Sequence, residues 1–324
     1  MEQKNLSRKD REVEQKALSR TVEVGEREHK KCGVIAIVGR PNVGKSTLTN
    51  ALVGEKIAIV TPKPQTTRNR ITGVVNRPWG QAVLLDTPGL HKARSKLDEY
   101  MTQVVRHSVA DVDGVLLLVE PVAKIGEAEE ELIQRIKTLG VPAALVINKI
   151  DTVKKEDLLA VMACYGQAHT WAAVLPISAQ AGEGLDELWE LVQAWLPVGP
   201  ALFPEDMTTD QPERQVCAEI LREKLLLCLD KEVPHGTAVE LTKFLQRDRD
   251  DVIEIEATIY CERDSHKGII IGKKGAMLKR ISTLARQDME RFMGEKIFLE
   301  TWVKVKENWR ASDIQVRNFG YREE

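Results

Sequence analysis

The chain has 324 residues, a length that suggests about two domains. Its formal net charge of −2 excludes a protein that is basic throughout, so any contact with nucleic acid must depend on local charge. The five cysteines form no C-x-x-C pair, which favours reduced thiols in a cytoplasmic protein, and no apolar run reaches the roughly 18 residues that a membrane span needs.

The first part of the chain is rich in charge of both signs and poor in large apolar residues. Residues 1–31 contain nine Lys/Arg and seven Asp/Glu. A segment of this kind cannot bury enough apolar surface to form a core. We therefore expect a disordered or loosely helical extension over residues 1–31.

From Gly33 onward, short apolar strands alternate with amphipathic helices. Continuously apolar strands are buried on both faces, which is the pattern of a mainly parallel sheet. The sequence thus predicts an α/β domain over residues 32–198, with helices on both faces of the sheet. The predicted strands are 33–39, 81–86, 114–120, 143–149 and 173–178, and the clearest helices between them are 127–138 and 184–195.

A second, smaller α+β domain is predicted after a proline-rich stretch. Four prolines lie between residues 197 and 212, a composition typical of a linker, which we place at residues 199–213. The second domain then occupies residues 214–324. Its predicted elements are a helix at 213–230, strands at 236–246 and 251–262, two helical segments around a glycine loop, and a strand at 296–307.

The stretch "GRPNVGKS" (39–46) follows a buried strand and opens a helix, and it matches the phosphate-binding pattern GxxxxGK[ST]. Gly39 and Gly44 let the backbone curl so that its N–H groups point at phosphate oxygens. Lys45 would reach the β- and γ-phosphates, and the Ser46 hydroxyl would ligate Mg²⁺. The competing interpretation is an ordinary glycine turn between a strand and a helix.

Two further motifs end later strands. In "DTPG" (86–89), Asp86 is placed to hold Mg²⁺ directly or through water, and Gly89 offers an N–H to the γ-phosphate. In "NKID" (148–151), the Asp151 carboxylate can accept bonds from guanine N1–H and the N2 amino group, which adenine cannot provide. Alone, these motifs could be a turn and a helix cap. Asn148 would contact the other purine edge, Lys149 would pack on base and ribose, and Ser178 and Ala179 of "SAQ" could contact guanine O6.

With these motifs in this order, the sequence resembles the GTPase superfamily, in the translation-factor-like branch that contains the Era-type GTPases. The resemblance rests on "GRPNVGKS", "QTTR", "DTPG", "NKID", "SA" and a later "GKKG". It implies a P-loop NTPase-type fold, GTP or GDP with Mg²⁺, and a first switch loop at 61–70. Within that loop it assigns the Mg²⁺-binding role to Thr67 rather than Thr66. The nucleotide-binding residues it implies are Gly39, Arg40, Pro41, Asn42, Val43, Gly44, Lys45, Ser46, Thr47, Asp86, Thr87, Pro88, Gly89, Leu90, Asn148, Lys149, Asp151, Ser178 and Ala179.

Leu90 departs from the Ras-like pattern, in which a glutamine at this position orients the attacking water. A leucine cannot hydrogen-bond water, so we expect slow intrinsic hydrolysis. Asn42 resembles the asparagine with which relatives hold K⁺ beside the phosphates, and K⁺-assisted hydrolysis is therefore a hypothesis. The residues expected to act in catalysis are Lys45, Asn42, Thr67 and Gly89, and the expected metal ligands are Ser46, Thr67 and Asp86.

The second glycine loop, "GIIIGKKG" (268–275), lies between two helical segments, after two strands and before a last one. This order resembles a type II KH domain, whose GXXG loop clamps a nucleic-acid backbone. Residues 266–291 contain seven Lys/Arg and two Asp/Glu, which suits single-stranded RNA. The competing interpretations are a plain helix–helix turn and a solvated basic face. The predicted RNA-binding residues are His266, Lys267, Gly268, Ile271, Gly272, Lys273, Lys274, Gly275, Lys279 and Arg280.

The resemblance implies a monomeric, cytoplasmic GTP-hydrolysing switch that binds the 3′ end of small-subunit (16S) ribosomal RNA and assists assembly of the 30S particle. The alternative is a membrane-associated signalling GTPase whose KH-like domain binds a protein or acidic lipid at the inner face of the cell membrane. A small-molecule kinase fits poorly, because "NKID" selects guanine and no acceptor pocket is evident.

Overall fold

The computed structural model describes residues 30–247 and 252–322. The predicted extension falls almost entirely on residues 1–29, which lie outside the described residues. Its predicted end was slightly too late, because the first strand already begins at Lys31. The Lys31 ammonium donates to the Gln193 carbonyl at 2.6 Å, which fixes this end of the strand on the last helix of the first domain.

A six-stranded sheet forms the first domain, with strand order β2-β3-β1-β4-β5-β6. All neighbouring pairs are parallel except β2–β3, which form an antiparallel hairpin. The strands are β1 Lys31–Gly39, β2 Ile71–Arg77, β3 Gly80–Asp86, β4 Gly114–Val119, β5 Ala143–Ile147 and β6 Ala173–Pro176. The helices are α1 Lys45–Val53, α2 Lys96–Ser108, α3 Glu127–Leu139, α4 Lys155–Ala168 and α5 Leu185–Trp195.

Burial explains why these segments are strands. Every residue of β4 and β5 is buried, as expected for a parallel sheet with helices on both faces. Two separate apolar clusters lie on the two faces, one beside α1 and α5 and the other beside α3 and α4. Because β1, β3, β4 and β5 run parallel, their carboxyl ends share one edge of the sheet, where the predicted motifs meet.

The second domain packs its helices against a three-stranded sheet of order β7-β8-β9. The pair β7–β8 is antiparallel and the pair β8–β9 is parallel. Its elements are α6 Glu213–Cys228, β7 Ala238–Gln246, β8 Val252–Cys261, α7 Asp264–Ile271, α8 Ala276–Met293, β9 Lys296–Val305 and α9 Asp313–Asn318. The order helix–strand–strand–helix–helix–strand is the one predicted.

The proline-rich stretch is fixed along the edge of the first sheet. Val74 N–H of edge strand β2 donates to the Thr208 carbonyl at 2.8 Å. The Gln81 side chain is buried and bonds the main chain of Leu202 and Phe203. This segment covers the unpaired edge of β2, a protection that edge strands need.

A small apolar cluster joins the two domains. Leu97 and Met101 of α2 pack against Ala238 of β7 and against Trp309 and Tyr321 near the C-terminus. This contact places the second domain beside the loop that connects α1 to β2. Among the described residues, no helix combines the length and the apolar character that crossing a bilayer requires.

Candidate nucleotide and RNA sites

The first glycine loop joins the end of β1 to the start of α1. Gly39 has φ 155° and Gly44 has φ 100°, and the latter value disfavours any L side chain. A Cβ atom on Gly44 would lie 2.2 Å from Asn148 Nδ2, and one on Gly39 would lie 2.4 Å from the Leu118 carbonyl oxygen. The loop therefore needs glycine both for its curvature and for its close contacts.

Lys45 and Asp86 are both buried at this edge of the sheet. The Lys45 ammonium donates to the carbonyls of Gly39 and Arg40 at 3.2 and 2.9 Å. Burial lowers the pKa of Lys45 to about 8, against the opposing charge of Asp86. Burial likewise raises the pKa of Asp86 to about 6, although Lys45 and the Ser46 hydroxyl oppose the change. A negatively charged phosphate beside Lys45 and a cation beside Asp86 would relieve the two shifts.

The three predicted metal ligands, one of which is Asp86, lie close together. Ser46 Oγ lies 2.6 Å from Asp86 Oδ2 and 2.8 Å from Thr67 Oγ1. The other carboxylate oxygen of Asp86 is buried and has no partner among the described residues. Oxygen donors of this kind suit Mg²⁺, which keeps several waters and binds one or two protein groups plus phosphate. The residues present therefore fit the ion. Thr66 instead bonds Thr61 and the Lys63 carbonyl.

The predicted purine residues form a second group at the same edge. Asp151 Oδ1 accepts a 2.6 Å hydrogen bond from the hydroxyl of the buried Ser178, which orients the carboxylate. Asn148 donates to the Val43 carbonyl at 2.8 Å and accepts from Ala179 N–H at 3.0 Å. Asn148 thus ties the glycine loop to the "SAQ" loop, a positioning role that the sequence did not suggest.

Lys149 has a left-handed backbone, and its ammonium bridges the Asn42 carbonyl and Glu120, both at 2.6 Å. Its stem thus passes along the side of the glycine loop. The Asn42 side-chain amide donates to the Pro62 carbonyl at 2.8 Å. A cavity of about 350 Å³ lies between these groups. Its lining includes the side chains of Asn42, Lys45, Ser46, Thr67 and Lys149.

Other residues on the predicted nucleotide list hold the loops in place. Thr87 is buried and donates to the Ile37 carbonyl at 2.9 Å, and Leu90 N–H donates to the Gly39 carbonyl at 3.2 Å. Leu90 is buried in the apolar cluster on the α3 side of the sheet, so its side chain faces away from water. Arg40 pairs with the buried Glu129 of α3. Val43 and Pro88 are also buried, whereas Pro41 and Thr47 are half-buried.

A polar group that the sequence did not indicate joins the first switch loop to the segment after Gly89. Gln65 of the first switch loop donates to Asp98 at the start of α2, and Asp98 also contacts His91, two residues after Gly89. No periodicity or motif marks these three residues, because the group forms only when three separate segments meet. Gln65 also has a left-handed backbone at φ 60°, which no sequence signal indicates.

The second glycine loop connects α7 to α8. Gly272, Lys274 and Gly275 have positive φ, and a Cβ on Gly272 would lie 2.7 Å from Met277 Cβ. Lys273 and Lys274 are exposed at the tip and, like Lys279 and Arg280 on α8, form no ion pair with the described residues. The backbone can therefore approach a phosphate chain closely, with four free cations beside it.

The remaining predicted RNA residues lie around this loop. Gly268 is exposed on α7, and His266, Lys267 and Ile271 are half-buried. His266 Nδ1 is buried without a partner among the described residues. Ile270 is fully buried in the core of the second domain, whereas the neighbouring Ile269 is 51% exposed, so apolar surface is open to a ligand next to the lysines.

Comparison with known proteins assigns both domains. The chain matches the family model of 50S ribosome-binding GTPases over residues 34–149 and that of KH domains over residues 232–310. It is 50% identical over 291 residues to the GTPase Era of Alkaliphilus metalliredigens, covering 90% of this chain and 99% of the relative. It is 49% identical over 292 residues to the GTPase Era of Ruminiclostridium cellulolyticum, covering 90% and 98%.

Two solved structures have the same architecture over nearly the whole described chain. One is Era in complex with MgGDPNP and nucleotides 1506–1542 of 16S ribosomal RNA, with a TM-score of 0.88, 40% identity and coverage of 91% of this chain and 100% of that one. The other is a variant of Aquifex aeolicus Era bound to GDP and AlF4⁻, with a TM-score of 0.87, 40% identity and coverage of 90% and 100%.

These relatives cover both domains and the segment between them, so the likeness is not confined to the widespread GTPase fold. The predicted α/β sheet followed by a KH domain is confirmed. The chain belongs to the Era family of GTPases.

Proposed function

We propose that this protein is a Mg²⁺-dependent GTP-hydrolysing switch that binds small-subunit ribosomal RNA through its GKKG loop. The observation that carries the nucleotide part is the meeting of Ser46, Thr67 and Asp86, which come from the start of α1, the first switch loop and the end of β3. The RNA part is supported by the exposed lysines of the GKKG loop and by the relative solved with 16S ribosomal RNA.

Ser46 and Thr67 would hold Mg²⁺ through their hydroxyls, and Asp86 would hold it directly or through water. When bound, the ion neutralises charge that develops on the phosphate oxygens during transfer. Thr67 belongs to the first switch loop, so it reaches the ion only when that loop lies against the P-loop. The γ-phosphate favours this arrangement, and GTP therefore orders the loop whereas GDP loosens it.

The reaction relies on charges that the fold already holds in place. Lys45 would bind the β- and γ-phosphates, and Gly89 N–H would donate to the γ-phosphate. Because Leu90 cannot orient water, intrinsic hydrolysis is slow and the missing stabilisation comes from elsewhere. Asn42 supports a role for K⁺, since its amide nitrogen bonds the Pro62 carbonyl and its oxygen is left for a cation. Turnover that is faster in K⁺ than in Na⁺ buffer is expected, and equal turnover would contradict this role.

On the RNA side, Lys273 and Lys274 would contact phosphates while the apolar surface beside them receives unstacked bases. We propose the 3′ end of 16S ribosomal RNA as the target and assembly of the 30S particle in the cytoplasm as the role, carried out by a monomer. Contact with the inner face of the cell membrane would use the same lysines, so RNA and acidic lipid would compete.

The test changes both loop lysines, Lys273→Asp and Lys274→Asp, in the full chain. The matched control is Lys124→Asp with Lys137→Asp, an equal change of charge at exposed lysines of the first domain. We expect the first variant to lose binding to a 16S 3′-end oligonucleotide and to keep GTP binding. Its salt dependence should weaken by a slope of about 1.4 for two lost phosphate contacts on a single strand.

Unchanged capture of the oligonucleotide by the Lys273/Lys274 variant would contradict the RNA part of the proposal. If that variant also loses binding to anionic phospholipid vesicles, a membrane role for this loop is favoured instead.

A further inference from the structure

Helix α6 of the second domain lies against the first switch loop and contacts it at several points. Before the loop, Val60 N–H donates to Glu223 Oε1 at 3.0 Å. At the loop's outer turn, the Lys63 ammonium donates to the Leu229 carbonyl just after α6. Both contacts join residues about 165 positions apart, so the second domain is a neighbour of this loop in space only.

Arg222 makes the most buried of these contacts. Its side chain is 1% exposed and donates to the carbonyl oxygens of Thr66 and, at 3.4 Å, of Gln65. Glu219, one turn earlier on α6, accepts from the same guanidinium at 2.8 Å and balances its charge. The structure gives the Thr66 carbonyl no other donor within the described residues. A buried carbonyl of this kind is costly to leave unpaired, so Arg222 fixes the backbone directly before Thr67.

Arg68 fixes the backbone on the other side of Thr67. It is also 1% exposed, and it donates to the Thr237 carbonyl at 2.8 Å and to the Tyr321 hydroxyl at 3.0 Å. Its guanidinium carbon lies 5.7 Å from the ring centres of both Trp309 and Tyr321. Thr67 is therefore held between two residues that are anchored in the second domain.

We propose that Arg222 is a positioning residue for the GTPase site: from the second domain, it holds the switch-loop backbone so that the Thr67 hydroxyl stays on Ser46 beside Asp86. The proposal rests on the proposed role of Thr67 as a Mg²⁺ ligand. Arg222 touches neither nucleotide nor ion. It acts by restricting the backbone beside Thr67, so that less conformational freedom is lost when the GTP-bound arrangement forms.

This role has a consequence that a purely structural arginine would not have. When the switch loop is released from α6, Thr67 leaves the Mg²⁺ site. This change weakens the binding of GTP but not that of GDP. Arg222 should therefore increase affinity for Mg²⁺·GTP relative to GDP. Linkage then requires that a GTP analogue strengthens the contact between the loop and the second domain by the same factor.

The experiment compares Arg222→Ala and Arg222→Lys in the full chain with Arg214→Ala as control. Arg214 lies on the same helix and donates to the Leu241 carbonyl, within the second domain. The measurement is the affinity for a non-hydrolysable GTP analogue and for GDP, each titrated over Mg²⁺ concentration. We expect Arg222→Ala to weaken analogue binding about 10- to 100-fold, the range for a lost charged hydrogen bond, with GDP affinity within about twofold. Arg222→Lys should restore part of the loss, and Arg214→Ala should change neither affinity.

Equal loss of both affinities in Arg222→Ala, or no loss at all, would overturn the proposal. If Arg222→Ala does not fold, as judged by its melting temperature and circular dichroism, the ratio of the two affinities in Arg222→Lys decides in its place. Thr67→Ala separates this inference from the proposed function. If Thr67→Ala leaves the affinity ratio unchanged, the metal role of Thr67 fails. If Thr67→Ala lowers the ratio and the Arg222 variants do not, only the positioning role fails.

Discussion

Gln65 and Asp98 are joined by a 2.7 Å hydrogen bond from the Gln65 side-chain amide to Asp98 Oδ1. The same carboxylate oxygen lies 3.0 Å from His91 Nε2, and His91 Nδ1 lies 3.0 Å from the Gly89 carbonyl. An imidazolium donates to both acceptors, whereas a neutral ring can donate to only one. Asp98 thereby connects the first switch loop to the segment after "DTPG", and both hydrogen bonds of His91 form together only when its ring is protonated.

This connection predicts a pH dependence of stability. The hydrogen bond to Asp98 raises the pKa of His91, against burial and the charge of Arg94. Burial opposes ionisation of Asp98, but its hydrogen bonds to His91, Arg94 N–H and Ser95 lower its pKa to about 2. A histidine whose pKa rises on folding stabilises the folded chain fully below its unfolded pKa of roughly 6.5 and loses that contribution as pH rises through the folded value. We expect the free energy of unfolding to fall as pH rises from below roughly 6.5 through the raised pKa of His91 in the folded chain.

Urea unfolding at several pH values measures this change, and Asp98→Asn is the matched variant. Asparagine keeps the size and an acceptor for Gln65 but removes the charge that raises the His91 pKa. The fall in stability over this pH range should then be largely absent. A parallel fall in the wild type and in Asp98→Asn would show that another group is responsible.

Asp151→Asn should change the preferred base from guanine to xanthine. The carboxylate is oriented by Ser178 and can accept from two guanine donors, N1–H and the N2 amino group. Asparagine loses one acceptor and gains an N–H donor, which suits the carbonyl at C2 of xanthine. Each hydrogen bond to a charged group contributes about 1.5–3 kcal/mol, so GTP affinity should fall by roughly 10²-fold or more.

Competition between GTP, XTP and ATP for the Asp151→Asn protein measures the preference. Ser178→Ala is a useful companion, because it removes only the group that orients Asp151 and should weaken GTP binding less. Unchanged preference for GTP in Asp151→Asn would remove the basis for guanine selection at this site.

Gly44→Ala should abolish tight nucleotide binding while the chain still folds. Its Cβ would lie 2.2 Å from Asn148 Nδ2, and φ 100° is unfavourable for alanine. Strain of this type costs about 1–3 kcal/mol, which the loop can relieve only by moving away from Asn148. Because Asn148 also holds Ala179 N–H, the movement disturbs both ends of the nucleotide site. Isothermal titration with GTP and thermal unfolding measure the two effects separately. Gly54→Ala is the control, since Gly54 also has a positive φ of 85° but a Cβ there meets nothing within 4 Å.

The nucleotide motifs can be found in the sequence because each is local. A glycine loop between a buried strand and a helix is determined by a few consecutive residues, as "GRPNVGKS" illustrates. Strand β2 was missed for a related reason. It is an antiparallel edge strand with Gly73 inside it, and it follows a loop rather than a helix, so the alternation of strands and helices did not indicate it.

The contacts between the domains could not be predicted from the sequence. No pattern in the sequence indicates that Arg68 and Arg222 are buried, because their burial depends on partners more than 150 residues away. Trp309 follows β9 and packs against Tyr321 in the cluster between the domains. Charged groups are rarely buried without a partner, and the partner here becomes evident only once both domains are folded.

Gln81→Leu should release the proline-rich segment from the first sheet. The Gln81 carbonyl oxygen accepts from Leu202 N–H at 2.8 Å and Phe203 N–H at 2.9 Å, and its amide donates to Asn76 Oδ1 and the Phe203 carbonyl, both at 2.9 Å. Leucine fills the volume but leaves these buried main-chain groups unpaired, at a cost of about 1–3 kcal/mol each unless the segment moves into water. We expect a lower melting temperature and rapid proteolysis between residues 199 and 212. Asn76→Ala should have a smaller effect, because it removes the bonds of Asn76 to Gln81 and to the Glu205 carbonyl but leaves those to Leu202 and Phe203 in place. Resistance to proteolysis equal to that of the wild type would mean that packing against the sheet, rather than Gln81, holds this segment.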